Sequence, residues 1–205
     1  MLPAGGERRD RNVPTYFKRT DFYGSANILT TMSDARFIEP MPCLAVKKLP
    51  EGEAWQYELK LDGYRALAVK HDGQVTLFSR NRKRLNNRFP TVAAAFASLP
   101  DETIIDGEIV ALDEQGRPSF SRLQNFSANA NAITFYAFDT PMWKGEDLRM
   151  QPLDRRRELL RTKAMPKMPT IRFSESFVAK SEDMISAHLR HSRFIALREA
   201  RHRGL

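Results

Sequence analysis

Trp55-Gln56-Tyr57-Glu58-Leu59-Lys60-Leu61-Asp62-Gly63-Tyr64-Arg65 is the stretch from which the rest of the chain is read. Trp55, Tyr57, Leu59 and Leu61 alternate with Gln56, Glu58 and Lys60, the period of a strand with one apolar face. Glu58 and Lys60 therefore share the opposite face. The Asp62-Gly63 pair that follows is a two-residue turn signal with apolar residues on both sides, so a β-hairpin is one reading. A reactive lysine is the other. An amine attacks only when it has lost its proton, and burial or a neighbouring cation makes that accessible near neutral pH. A tight Asp-Gly turn fixes where such a lysine points, and Arg65 adds a permanent charge suited to ribose or phosphate oxygens. A hairpin turn is able to carry the lysine, so both readings stand.

Three further elements follow in order. Ser79-Arg80-Asn81 closes the strand-like run 74–78 and opens a basic stretch to Phe89-Pro90; by itself it reads as a basic loop before a helix. Asp106-Gly107-Glu108 sits inside the apolar run 103–112, where an unpaired carboxylate is costly to bury unless the strand shows it to solvent. Phe135-Tyr136-Ala137-Phe138-Asp139 is trailed by Gly145-Glu146-Asp147-Leu148 and Pro152-Leu153-Asp154-Arg155-Arg156-Arg157. A lone Phe in a strand is far more often core than a platform for a base.

The order and company of these elements carry more than any one of them. K-x-D-G-x-R at Lys60 to Arg65 resembles the nucleophile motif of the covalent nucleotidyltransferases. With Ser79-Arg80-Asn81, Asp106-Gly107-Glu108 and the Y-x-F-D element, residues from about 37 to 160 resemble the adenylation domain of ATP-dependent DNA ligases. Met41-Pro42 and the run Ser119 to Gln124 are similar to the bacterial end-joining type. The resemblance implies an ATP-grasp-like α+β domain with mostly antiparallel sheets and flanking helices. It implies ATP and Mg²⁺ (or Mn²⁺) as cofactors. Lys60 becomes the catalytic nucleophile that holds AMP. Glu58 reads the adenine edge, Arg65 and Glu108 hold the ribose side, Arg80 assists near the sugar or nick, and Phe138 stacks on the base. Glu108 also helps place the metal. The implied partners are nicked double-stranded DNA and end-joining or repair proteins, at the nucleoid in the bacterial cytoplasm.

Composition is consistent with this. The chain has 205 residues, enough for one domain with a real core. It contains no apolar run of the roughly eighteen residues that a membrane helix needs, and 1–10 lack the apolar centre of a signal peptide. Cys43 is the only cysteine, which excludes a disulfide framework and fits a reducing cytoplasm. A net charge of +8 suits a polyanionic partner.

Three segments are expected. Residues 1–36 read as a basic, poorly ordered arm, 37–187 as the domain, and 188–205 as a basic tail. Strands are expected at 55–61, 65–70, 74–79, 103–112 and 133–139, and helices at 90–99 and 153–162, with Ser181 capping another. Val92, Ala95, Phe96 and Leu99 share one helical face, which reads as core. The later ligase motifs E-G-x-x-x-K and K-x-K occur nowhere in the chain. The expectation is an incomplete adenylation domain with no OB-fold, shortened at its C-terminus, with its full activity in question. Two other readings remain: an RNA ligase or capping-type enzyme, and a non-catalytic nucleotide- or DNA-binding remnant.

Overall fold

The computed structural model describes residues 35–41, 55–59, 61–125, 133–177 and 195–199. Lys60, Ser181 and most of the expected N-terminal arm and C-terminal tail lie outside the described residues.

Two sheets form the domain. The larger has six strands: β2 (Tyr64–His71), β3 (Gln74–Ser79), β4 (Thr103–Ala111), β5 (Ile133–Trp143), β6 (Glu146–Asp147) and β7 (Ile171–Phe173). Their order is β3-β2-β4-β5-β6, with β7 also on β5. Every pair in it is antiparallel except β5 with β7. The smaller sheet has β1 (Trp55–Leu59) between β8 (Ser176–Phe177) and β9 (Ile195–Glu199), both antiparallel to it. With helices α1 (Pro90–Ala95), α2 (Phe120–Gln124) and α3 (Leu153–Leu159), the architecture is α+β, as the sequence implied. Part of the expected tail, 195–199, is thus a strand of the β1 sheet.

The central strands are apolar on both faces because each face has its own core. Ala66, Ala68, Ile105 and Ile109 join a cluster with Val92, Phe96 and Phe135, under α1. Leu67, Val69 and Ile104 point the other way and pack with Ala35 and Met142. Period-two alternation between two buried environments reads as a continuous apolar run. The expected core face of Val92, Ala95, Phe96 and Leu99 is buried. The helix ends at Ala95, earlier than expected, and Phe96 and Leu99 stay on the core through i−3 turn bonds.

The chain contains three Asp-Gly pairs, and they serve three purposes. Asp72-Gly73, with φ of 47° and 70°, turns the β2–β3 hairpin. Asp62-Gly63 does not join a hairpin: among the described residues β1 pairs with β8 and β9, whereas β2 pairs with β3 and β4. The hairpin reading of this turn is therefore corrected. Both hydrogen-bonding edges of β2 are taken, so the chain changes sheets there. Glycine at 63 serves close approach, since a Cβ would lie 2.2 Å from the Ile109 carbonyl oxygen. At Gly107, in mid-strand, a Cβ would lie 2.2 Å from Phe135 Cε1.

Candidate active site

The site lies where the chain leaves the small sheet and enters the large one. Gly63, at the start of the second, donates its N–H to Glu108 Oε1 at 2.9 Å. The register places Glu108 opposite Arg65 on one side and Tyr136 on the other. The lysine motif and the Asp-Gly-Glu motif, 45 residues apart, are thus one unit of structure. Glu108 is half-buried and spends one oxygen on a neutral backbone donor.

Arg65 is committed to protein partners. Its Nε and Nη2 bind Asp106 Oδ1 and Oδ2 at 2.7 and 2.6 Å, a two-point fork. The same guanidinium lies 4.4 Å from the ring centroid of Phe138. Asp106 is quoted in the sequence motif, but its task there as the arginine's carboxylate is visible only in the structure.

A β-bulge brings Phe138 and its neighbour to the same face. Gly107 pairs with Ala137, but Asp106 pairs with Asp139, so β5 has one more residue than β4 between these pairs. Ala137 faces the α1 core. Phe138 then meets Arg65, and Asp139, next in sequence, faces the same side as Asp106; both line a cavity of about 470 Å³. Regular alternation sends consecutive residues to opposite faces, and the extra residue overrides it.

Two buried arginines of α3 complete the site. Arg156 forks Asp139 through Nε and Nη2 at 2.8 and 2.9 Å. Arg157 Nη1 lies 2.5 Å from Glu58 Oε1 and 3.0 Å from the Phe138 carbonyl, and Nη2 lies 2.6 Å from the Ser174 carbonyl. Glu58 is 3 % exposed, so its charge is compensated inside the protein. Sequence reasoning gave neither arginine a role. The signal was present: Leu153, Arg156, Arg157 and Leu160 occupy the i, i+3, i+4, i+7 positions that a helix buries, and all four are buried.

Glu58 and Phe138 are therefore joined through Arg157, Phe138 meets Arg65 with its Asp106 partner, and Glu108 stands beside Arg65 in the register and holds Gly63. Arg80 is exposed and stands apart from this network, in the turn that Ser79 organises by accepting the Arg82 and Lys83 N–H groups. Asn81, Arg82 and Lys83 within that turn, and Arg84 after it, are exposed as well, a basic loop at the end of β3.

Two largely antiparallel sheets, with Gly63 and Glu108 meeting where the chain passes from one to the other, define the architecture. The chain belongs to the ATP-dependent DNA ligase domain family, which matches residues 39–194. It is 38 % identical over 192 residues to the multifunctional non-homologous end joining protein LigD of Pseudomonas aeruginosa, covering 91 % of this chain and 22 % of that protein. It is 37 % identical over 138 residues to the bifunctional LigD of Bacillus subtilis, covering 58 % of this chain and 23 % of that protein. The ligase domain of Mycobacterium tuberculosis LigD superposes with a TM-score of 0.62 at 26 % identity, over 74 % of this chain and 50 % of that one. A mycobacterial DNA ligase D complexed with ATP and MES gives 0.62 at 27 %, over 75 % and 53 %. The chain spans less than a quarter of the length of these two LigD proteins and about half of the two solved ligase chains.

Proposed function

We propose that this chain carries out nucleotidyl transfer for an ATP-dependent DNA ligase of the end-joining type. The neutral Lys60 amine attacks the α-phosphate of ATP. A nitrogen–phosphorus bond forms, the bond to the β-phosphate oxygen breaks, and pyrophosphate leaves. AMP then passes to the 5′-phosphate at a DNA nick, and the 3′-hydroxyl displaces it to seal the strand. The observation that carries this reading is the Gly63–Glu108 hydrogen bond, which joins two motifs that transfer chemistry needs together.

Each side chain has a task in it. Glu58 accepts from the adenine amino edge, and Phe138 supplies a stacking surface. Arg65 and Glu108 hold the ribose, with Arg65 aimed by Asp106. Arg80 meets the sugar or the nick from outside the network. A half-buried carboxylate is a hard oxygen donor, so Glu108 fits one ligand position of Mg²⁺ or Mn²⁺. Such an ion, when bound, neutralises charge on the triphosphate.

Nicked duplex DNA is the proposed substrate, supported by the +8 charge and the basic loop after β3. The working unit is the domain from 37 onward, with β9 (Ile195–Glu199) included because it pairs with β1, acting with end-joining proteins in the bacterial cytoplasm. The test is intact-protein mass after incubation with ATP and Mg²⁺, beside Lys60→Ala. An AMP-sized adduct on the wild type alone is expected. Its absence from folded wild type overturns the reading. Replacing ATP by GTP, and nicked DNA by nicked RNA, separates the ligase from its RNA-joining and capping relatives.

A further inference from the structure

Arg157, to which sequence reasoning assigned no role, bridges several parts of the site. It comes from α3 and is 4 % exposed. Three hydrogen bonds from it reach β1 at Glu58, β5 at the Phe138 carbonyl, and the residue after β7 at the Ser174 carbonyl. Its guanidinium also lies 4.8 Å from the Phe173 ring centroid. Glu58 and Phe138 are the two residues assigned above to the base, one to its edge and one to its face. A single side chain holds the carboxylate of the first and the backbone of the second.

We propose that Arg157 is a positioning residue that sets purine selectivity, by fixing the Glu58 carboxylate as a charged acceptor at the edge of the base. This rests on the assignment of Glu58 to the base edge. An ionised carboxylate only accepts hydrogen bonds. Adenine offers an amino donor at its six-position, and guanine has a carbonyl oxygen there. A fixed anionic acceptor binds the first and repels the second, which is selection by the cost of a mismatched polar group. The planar guanidinium fork makes contacts in several fixed directions, and a lysine ammonium at the same place does not reproduce them.

The rival role is a brace that only holds α3 against the sheets. A brace acts on stability and on both nucleotides alike. The experiment measures affinities of the full chain for α,β-methylene ATP and α,β-methylene GTP, which cannot release pyrophosphate, with melting temperatures alongside. Arg157→Lys, Glu58→Gln and the double variant are compared with wild type. The wild type is expected to favour the adenine analogue. Glu58→Gln, whose amide donates to guanine, is expected to lower that preference by about tenfold or more. Arg157→Lys is expected to lower it as well, and the double variant to be no worse than Glu58→Gln alone, because both act through one carboxylate.

An unchanged preference in folded Arg157→Lys, with both affinities falling together, overturns the proposal. Should Arg157→Lys not fold, an unchanged preference in Glu58→Gln overturns it equally. A wild type that takes AMP on Lys60 yet binds both analogues alike overturns it too, and leaves the ligase reading standing. A wild type that neither binds the analogues nor takes AMP overturns both.

Discussion

Gly63 and Glu108 are 45 residues apart in sequence, and the backbone N–H of one lies 2.9 Å from the carboxylate of the other. The absence of a side chain at Gly63 permits this contact: a Cβ would lie 2.2 Å from the Ile109 carbonyl and 2.8 Å from Val110 Cγ1. The junction between the two sheets is therefore held by backbone against backbone, with the glutamate reaching back over it.

Gly63→Ala is accordingly expected to displace the strand start. The cost is about 1–3 kcal/mol, the range for overpacking, because the obstacle is backbone that cannot turn aside. Urea denaturation reads the loss, and intact mass after ATP treatment reads the accompanying fall in adduct. A variant as stable and as easily labelled as wild type would show that the junction has more room than the structure gives it.

Glu108→Gln and Glu108→Ala separate the two tasks of that residue. The amide oxygen of glutamine still accepts from Gly63, so Glu108→Gln should fold near wild-type stability while losing most of its AMP labelling. Glu108→Ala loses both, and its unfolding free energy should fall by about 1–3 kcal/mol for the unmet donor. Equal labelling by wild type and Glu108→Gln would remove the charge of Glu108 from the chemistry.

The Asp139–Arg156 pair is buried on both sides and makes a two-point fork. Arg156→Met removes the two-point fork from a buried carboxylate, expected to cost about 3–5 kcal/mol. Asp139→Leu combined with Arg156→Met removes both charges and should recover part of that loss. Thermal denaturation of the two variants side by side decides this. A double variant less stable than Arg156→Met would show the pair to be favourable beyond its own desolvation.

Asp147 and Arg149 give a pH-dependent contribution. The Arg149 side chain, by hydrogen bonding, holds the Asp147 carboxyl below its ordinary value of 3.8. A depressed folded value means that the stabilisation is present above pH 3.8 and disappears as pH falls through the folded value. The pair is partly solvated, so its worth at neutral pH is below about 1 kcal/mol. In Arg149→Ala, the Asp147 resonance should titrate at higher pH by NMR. The stability gap to wild type should close in acid. An unmoved titration would mean that the ion pair does not persist in solution.

Much of this was legible in the residues. The strand at 55–59, the apolar run of β4, and the face of Val92, Ala95 and Phe96 follow from side-chain period and residue type. The family was legible in a different way, through the resemblance carried in order by the motifs at Lys60 to Arg65, Ser79 to Asn81, Asp106 to Glu108 and Tyr136 to Asp139. The buried arginines were legible in principle, since Arg156 and Arg157 stand at helical intervals from Leu153 and Leu160. Their partners were not, because Glu58 and Asp139 lie 99 and 17 residues away from them.

The sequence by itself determined the five longer strands β1 to β5 and the apolar face of α1, for these depend on local period and residue type, whereas the short strands β6, β7 and β8 and the strand β9 were not legible in it. Tertiary structure decided how the pieces are used. Asp-Gly is the same dipeptide at 62, 72 and 106, yet it is a crossing between sheets, a hairpin turn and a mid-strand contact. The difference lies in what each strand edge has already paired with and what packs over each glycine. The bulge that turns Phe138 and Asp139 to one face has the same origin. It is set by the register between β4 and β5, a property of two strands together that neither one contains alone.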